Sequence, residues 1–256
     1  MNHSYQPEDK EFFDYQIYQY KNWLLRGPKP DLTKPYICFI GAAQTFGRYC
    51  QRPFVHQVSQ HLGIPAMNFG IAGADPSYFL KDDIISCANE SVLTVFQVLS
   101  ARSCTNSLFT NKSGCREGFA YGQPMVSNNF WAKGQDVKIV QESQDQYIKT
   151  MKKLFTLVRG KKVLFWISTR QPKHNTSYQT LSNIFPHFVN KNVIDNLVSS
   201  VDEYIECSTN DGMPQIISDN VTNSYYPSPE MHKKAAESML NSNYITNLKY
   251  KYIPYA

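Results

Sequence analysis

Two apolar runs that end in small-residue turns constrain this chain more than any other feature. Tyr36-Ile-Cys-Phe-Ile-Gly41 passes into Ala42-Ala-Gln-Thr-Phe-Gly47, and Met67-Asn-Phe-Gly70 passes into Ile71-Ala-Gly-Ala-Asp75. A short continuous apolar run reads as a strand buried on both faces. A turn of small residues at its end is how an open α/β sheet leaves room for a ligand.

The rest of the pattern repeats that unit. Strands are predicted over 36–40, 65–69, 92–99, 163–167 and 214–218, and helices over 53–62, 76–88, 137–158, 192–206 and 228–240. Pro53 suits a first helical turn, Gly160 is a natural stop, and Ser228-Pro-Glu230 reads as an N-cap followed by proline and an acidic first turn. Alternating strands and helices predict a three-layer α/β/α sandwich with a parallel sheet of about five strands. Residues 1–34 form an aromatic-rich leader whose middle, 12–25, suits either a helix or a strand, and Arg26-Gly-Pro-Lys-Pro-Asp31 ends it. The leader is expected to pack on a single domain over 35–256. One long loop, 100–135, interrupts the rhythm with Phe109, Phe119, Tyr121, Phe130 and Trp131 among Lys112, Arg116 and Lys133. Such a loop suits a sugar ring, through stacking and hydroxyl hydrogen bonds, or it simply pins itself to the body.

Composition removes several classes of function. A 42% hydrophobic content with 14% aromatics makes a core-forming chain. The net charge of +5 is mild and the lysines and arginines are scattered, so no nucleic-acid partner is expected. The first residues are polar and no apolar run approaches the roughly 18 residues of a membrane span, so the expectation is a cytoplasmic protein without a transmembrane segment. The six cysteines form no CxxC pair. Cys38 and Cys87 read as core residues, and Cys104 and Cys115 could pair but are expected to be reduced. Gly41-x5-Gly47-Arg48 misses the spacing and lysine of a phosphate loop, and Gly70-x2-Gly73 lacks the first glycine of a dinucleotide fingerprint. No cofactor is expected, and no ligand spacing predicts a metal.

In order and placement the blocks resemble the SGNH/GDSL hydrolase superfamily, whose first block reads G-D-S-x-T-x-G. The resemblance covers roughly 35–106 and 214–240 and implies a sheet of SGNH, flavodoxin-like type. It places Ala43 at the nucleophilic serine, Gly73 at the glycine of the oxyanion hole and Arg102 at the asparagine beside it. Asn223 and Tyr226 fall on the aspartate and histidine. Alanine has no nucleophilic atom, a neutral asparagine cannot stabilise an imidazolium, and tyrosine is a poor base at neutral pH. The segments Arg26-Gly-Pro-Lys-Pro-Asp-Leu32, Gly41-Ala-Ala-Gln-Thr-Phe-Gly-Arg48 and Ser100-Ala-Arg-Ser103 with Asn106 are similar to a bacterial family of uncharacterised proteins. That likeness implies a surface-polysaccharide context and association with polysaccharide-modifying transferases such as sulfotransferases.

The expected site is therefore polar and cationic. Ala43, Gln44, Thr45, Gly73, Asn106, Arg170 and Tyr226 are candidate binding residues, and Arg102 is a clamp for an anionic group or a partner of Asp75. His232, in the first turn of the last helix, is the first candidate base and His174 the second, while His56 and His61 read as structural. Three functions compete. The first is a transferase or hydrolase acting on a saccharide or acidic glycan by a non-serine mechanism. The second is a catalytically silent module that binds a glycan or another anion. The third is a serine esterase whose nucleophile lies elsewhere.

Overall fold

A computed structural model describes residues 4–107, 110–111 and 136–252. Nine strands and eight helices of the described residues are numbered here in chain order. Strands β3 (Ile37–Gly41), β4 (Ala66–Gly70), β5 (Leu93–Gln97), β6 (Lys162–Ser168) and β7 (Glu203–Ser208) form one parallel sheet in the order β4-β3-β5-β6-β7. Alternate side chains of each strand leave on opposite faces, and each face carries its own core. Ile37, Phe39, Val95, Phe165 and Ile205 share one core with helices α2 (Phe54–Leu62), α7 (Pro229–Leu240) and α8 (Asn243–Tyr252). Cys38, Ile40, Phe69, Phe96 and Trp166 share the other with α3 (Asp82–Glu90), α4 (Asp136–Leu157), α5 (Tyr178–Asn183) and α6 (Lys191–Val198). The three layers follow, as the alternating pattern implies.

Three of the predicted elements differ in the structure, and α5 and α8 add helices that the pattern did not predict, α8 following the one read as the last. The segment read as a helix over 192–206 is α6 followed by β7, whose burial alternates so that Ile205 and Cys207 face inward while Glu206 is exposed. A half-exposed edge strand carries this period-2 signal, and the apolar positions of α6 run into it. The run near 214–218 is not the fifth sheet strand. It is β8 (Gln215–Ser218), paired antiparallel with β9 (Val221–Asn223) outside the main sheet, with Ile216 exposed. The helix read over 76–88 is a 3-10 turn, Pro76–Phe79, and then α3.

The undecided leader is extended. It contains the hairpin of β1 (Tyr18–Tyr20) and β2 (Trp23–Leu25), with Trp23 edge-on to Phe69 and Tyr78. Its Ser4 hydroxyl donates to Gly70 O and accepts from Ala72 N, at the end of β4. No helix of the described residues is long and apolar enough to cross a membrane. The aromatic segment from Phe109 to Lys133, and Cys115 with it, lies outside the described residues apart from 110–111. Cys104 is a buried free thiol.

Candidate functional site

The chain leaves β3 to run β4 on one side and then crosses to β5 on the other. The carboxyl ends of β3 and β5 therefore flank the point where strand order reverses, the usual ligand crevice of an open α/β sheet. The turn after β3 closes it. Ala42 begins the short helix α1 (Ala43–Phe46) and has no side chain with which to cap it. Gln97, the last residue of β5, supplies the acceptor: its Oε1 takes Ala42 N at 2.9 Å, Thr45 N at 3.1 Å and Thr45 Oγ1 at 2.6 Å. Such a closely seated turn needs glycine on both flanking strands. A Cβ on Gly41 would lie 2.0 Å from Thr45 Oγ1, and one on Gly70 would lie 2.1 Å from Phe46 N. Asn68 completes the seat by donating to Thr45 O and accepting from Gly70 N.

Arg26, from the Arg-Gly-Pro motif, secures the far end of this turn. Its two terminal nitrogens donate to four carbonyls, Phe46, Gly47, Cys50 and Gln51, and its plane lies over Tyr15 and Phe46. That arginine holds the turn in shape and does not line the crevice.

A cavity of about 200 Å³ opens at the strand ends. Ala43 and Gln44 line it from the first turn, Gly73 from the second, Arg102 from the loop after β5, and Tyr226 from the segment before α7. Ala43, Gly73, Arg102 and Tyr226, which the resemblance aligns with one site, line the same cavity. Asn223 stands behind Tyr226. Its Nδ2 donates to Tyr226 O and Gln215 Oε1, and its Oδ1 accepts from the backbone of Tyr225 and Tyr226. Both donations need an amide, so an aspartate could not make this turn in the same way.

The other expected residues stand elsewhere. Thr45 is buried under α1 on Gln97. Asn106 ties its loop to α4 through Ser143. His174 is on the surface, with Asn192 at 2.6 Å and Asp195 at 3.7 Å. Arg170 is buried behind the segment 185–189, donating to Pro186 O and Val189 O and lying over Trp166, while its Nε and Nη1 have no partner among the described residues. His232 is fully buried, stacks on Phe54 and accepts from Phe54 N, so it has no path to a ligand. Burial and the charge of Arg26 pull its pKa down to about 3. The base role expected for His232 and His174 does not fit their placement: the first turn of α7 buries His232 against α2, and the loop after β6 leaves His174 on the surface.

The histidine that does line the cavity is His187, which the sequence pattern did not single out. It follows Phe185-Pro186, far from any predicted strand end. It reaches the site because Ala101 N donates to its carbonyl, which draws 185–189 against the loop after β5. Its Nδ1 lies 3.2 Å from Ser100 Oγ, and its ring stacks on Tyr225. Burial, then the charges of Arg102 and Arg170, lower its pKa to about 3, so the imidazole is neutral. Burial also lowers Arg102, against the pull of Tyr225 and Tyr178, but a guanidinium remains a cation throughout the physiological range. Among the described residues, no acidic side chain lines the cavity. Asp75, just beyond Ala74, is buried, which raises its pKa to about 6, and it accepts from Ser77 and Asn111.

Solved structures and a family model are similar to the chain. The chain is similar to the lipase Lip_vut3 from a goat rumen metagenome, at 12% identity and a TM-score of 0.48, over 82% of this chain and 98% of the other. It is also similar to a protein of Desulfitobacterium hafniense DCB-2 described as a putative lipolytic protein of the G-D-S-L family, at 13% identity and a TM-score of 0.41, over 80% and 97%. No curated protein matches the sequence. A family model described as a domain of unknown function, DUF6473, matches residues 1–113 and 125–249. That match spans most of the chain, and the chain belongs to the DUF6473 family.

Proposed function

We propose that the protein binds an acidic saccharide in the strand-end cavity, with Arg102 as the clamp for its anionic group and without serine chemistry at position 43. One observation carries this reading: Ala43, Gly73, Arg102 and Tyr226 line a single cavity that has an arginine and, among the described residues, no acidic side chain. A desolvated guanidinium lining a small cavity selects a carboxylate or sulfate over a neutral group. The surface-polysaccharide context implied by the motif resemblance supplies the saccharide. In that context the protein would hold an acidic glycan, or present it to a polysaccharide-modifying transferase.

A second reading, in which the bound sugar is also turned over, is favoured by the Ser100–His187 contact. Nucleophile and base pairs stand at such a distance. It ranks second because forming an imidazolium beside Arg102 and Arg170 is costly.

Calorimetric titration with D-glucuronate and with a sulfated monosaccharide tests the first reading. Wild-type protein should bind, and Arg102→Ala should weaken binding by about 30-fold, the worth of a hydrogen bond to a charged group, while its circular dichroism stays unchanged. Equal affinities in the two proteins would defeat the proposal. Labelling of Ser100 by a fluorophosphonate probe would promote the second reading.

A further inference from the structure

Tyr226 is held from the side of the leader. Asp9, in the 3-10 turn Pro7–Glu11, is 5% exposed and grips Arg48 through two contacts, Nε to Oδ2 at 2.8 Å and Nη2 to Oδ1 at 3.1 Å. The remaining arm of the guanidinium, Nη1, lies 3.2 Å from the Tyr226 hydroxyl oxygen. The same guanidinium also lies over the Tyr226 ring, 5.1 Å from its centre, and Tyr49 meets that ring edge-on. Burial pulls the Arg48 pKa down, but the bonds to Asp9 and Tyr226 more than offset it and leave it raised.

Arginine has donors only, so Tyr226 must be the acceptor in this contact and its own proton is turned elsewhere. Among the described residues no atom accepts that proton. Tyr226 also lines the cavity with Arg102.

We infer that Asp9, Arg48 and Tyr226 form a positioning chain that presents the Tyr226 hydroxyl to the ligand as a hydrogen-bond donor, so that the leader is part of the binding site. This rests on the reading of the cavity as an acidic-saccharide site and narrows it. The ligand group must accept from both a guanidinium and a phenol, which describes a carboxylate or sulfate oxyanion. Asp9 and Arg48 touch no ligand in this scheme; they act through Tyr226.

Calorimetric titration of D-glucuronate and of inorganic sulfate into four proteins tests the chain: wild type, Tyr226→Phe, Asp9→Asn and the double variant. Each single change should weaken binding by about tenfold, one hydrogen bond's worth. The double variant should bind no more weakly than Tyr226→Phe, because Asp9 has no effect once the hydroxyl is gone. A merely structural Asp9 would give additive losses instead. The carboxylate of Asp9 accepts from Gln6 N at 3.0 Å, and the amide introduced by Asp9→Asn keeps an oxygen for that bond, so the turn has its capping acceptor in the variant. Wild-type affinity in Tyr226→Phe, or additive losses, would overturn the chain. Were Arg102→Ala still to lose binding in that case, the cavity reading would survive it. Failure of the wild-type protein to bind either probe would overturn both.

Discussion

His187 and His232 share an electrostatic signature and stand in opposite kinds of environment. Each is buried, and each is held neutral with a pKa lowered to about 3. His232 belongs to the scaffold: it lies between α2 and α7, stacked on Phe54 and turned to a backbone N–H. His187 belongs to the cavity wall, beside Ser100 and under the influence of two arginines. The same division separates Arg26, whose terminal nitrogens are spent on four carbonyls, from Arg102, which lines the cavity. A depressed pKa therefore marks burial, and only placement distinguishes a group that braces the fold from one that meets a ligand.

The largest expected effect separates the two histidines by pH. Both are neutral when folded and free to protonate when unfolded. Their contribution to stability is therefore full above about pH 6.5 and is withdrawn as pH falls toward about 3, where the folded side chains finally protonate. Each contributes on the order of 4 kcal/mol across that window. Urea unfolding of His232→Gln at pH 4.5 and 7.5 should show a smaller difference than the wild type, with glucuronate binding retained. His187→Gln should flatten the same difference and also weaken binding. If both variants bound equally well, the comparison would collapse.

Gln97 sharpens the boundary between scaffold and wall. It stands at the end of β5 next to the cavity, yet its carbonyl oxygen is committed to three donors of the first turn. Gln97→Met would orphan those donors and should cost about 3 kcal/mol by chemical denaturation. A variant as stable as the wild type would show that α1 needs no cap from β5.

Asp75 tests the boundary from the other strand. Its carboxyl stays protonated in the fold up to about pH 6, whereas an unfolded aspartate ionises near 3.8. The folded state therefore binds more protons between those values, and this residue's contribution makes stability fall as pH rises through that window, then level off. Asp75→Asn should remove a fall on the order of 2 kcal/mol, measured as the change in unfolding midpoint between pH 4 and 6.5. A pH profile identical to the wild type would place the carboxyl outside the buried set.

The three-layer architecture was legible because parallel strands covered on both faces must be apolar throughout, as 36–40 and 163–167 are. Where one face is exposed the signal thins. The edge strand β7 alternates only weakly, so its residues read as a continuation of α6, and Gln215-Ile-Ile-Ser218 gave a false fifth strand from two adjacent isoleucines. At the site, Ala43, Gly73, Arg102 and Tyr226 were legible because the blocks that carry them resemble a known pattern in order and placement. His187 was not, because a tertiary bond from Ala101 brings it in from a segment with no periodicity. His232 misled for a related reason: a position in a first helical turn does not say which way the side chain faces.

The central claim is that the strand-end cavity holds an oxyanion at Arg102 without a nucleophile at position 43. A crystal structure of the protein soaked with D-glucuronate tests it most directly. The account predicts the sugar in the cavity, non-covalently bound, with its carboxylate within about 3.2 Å of the Arg102 guanidinium, as charge-assisted hydrogen bonds require. A cavity left empty while the sugar occupies another surface, or density continuous with Ser100 Oγ, would contradict it.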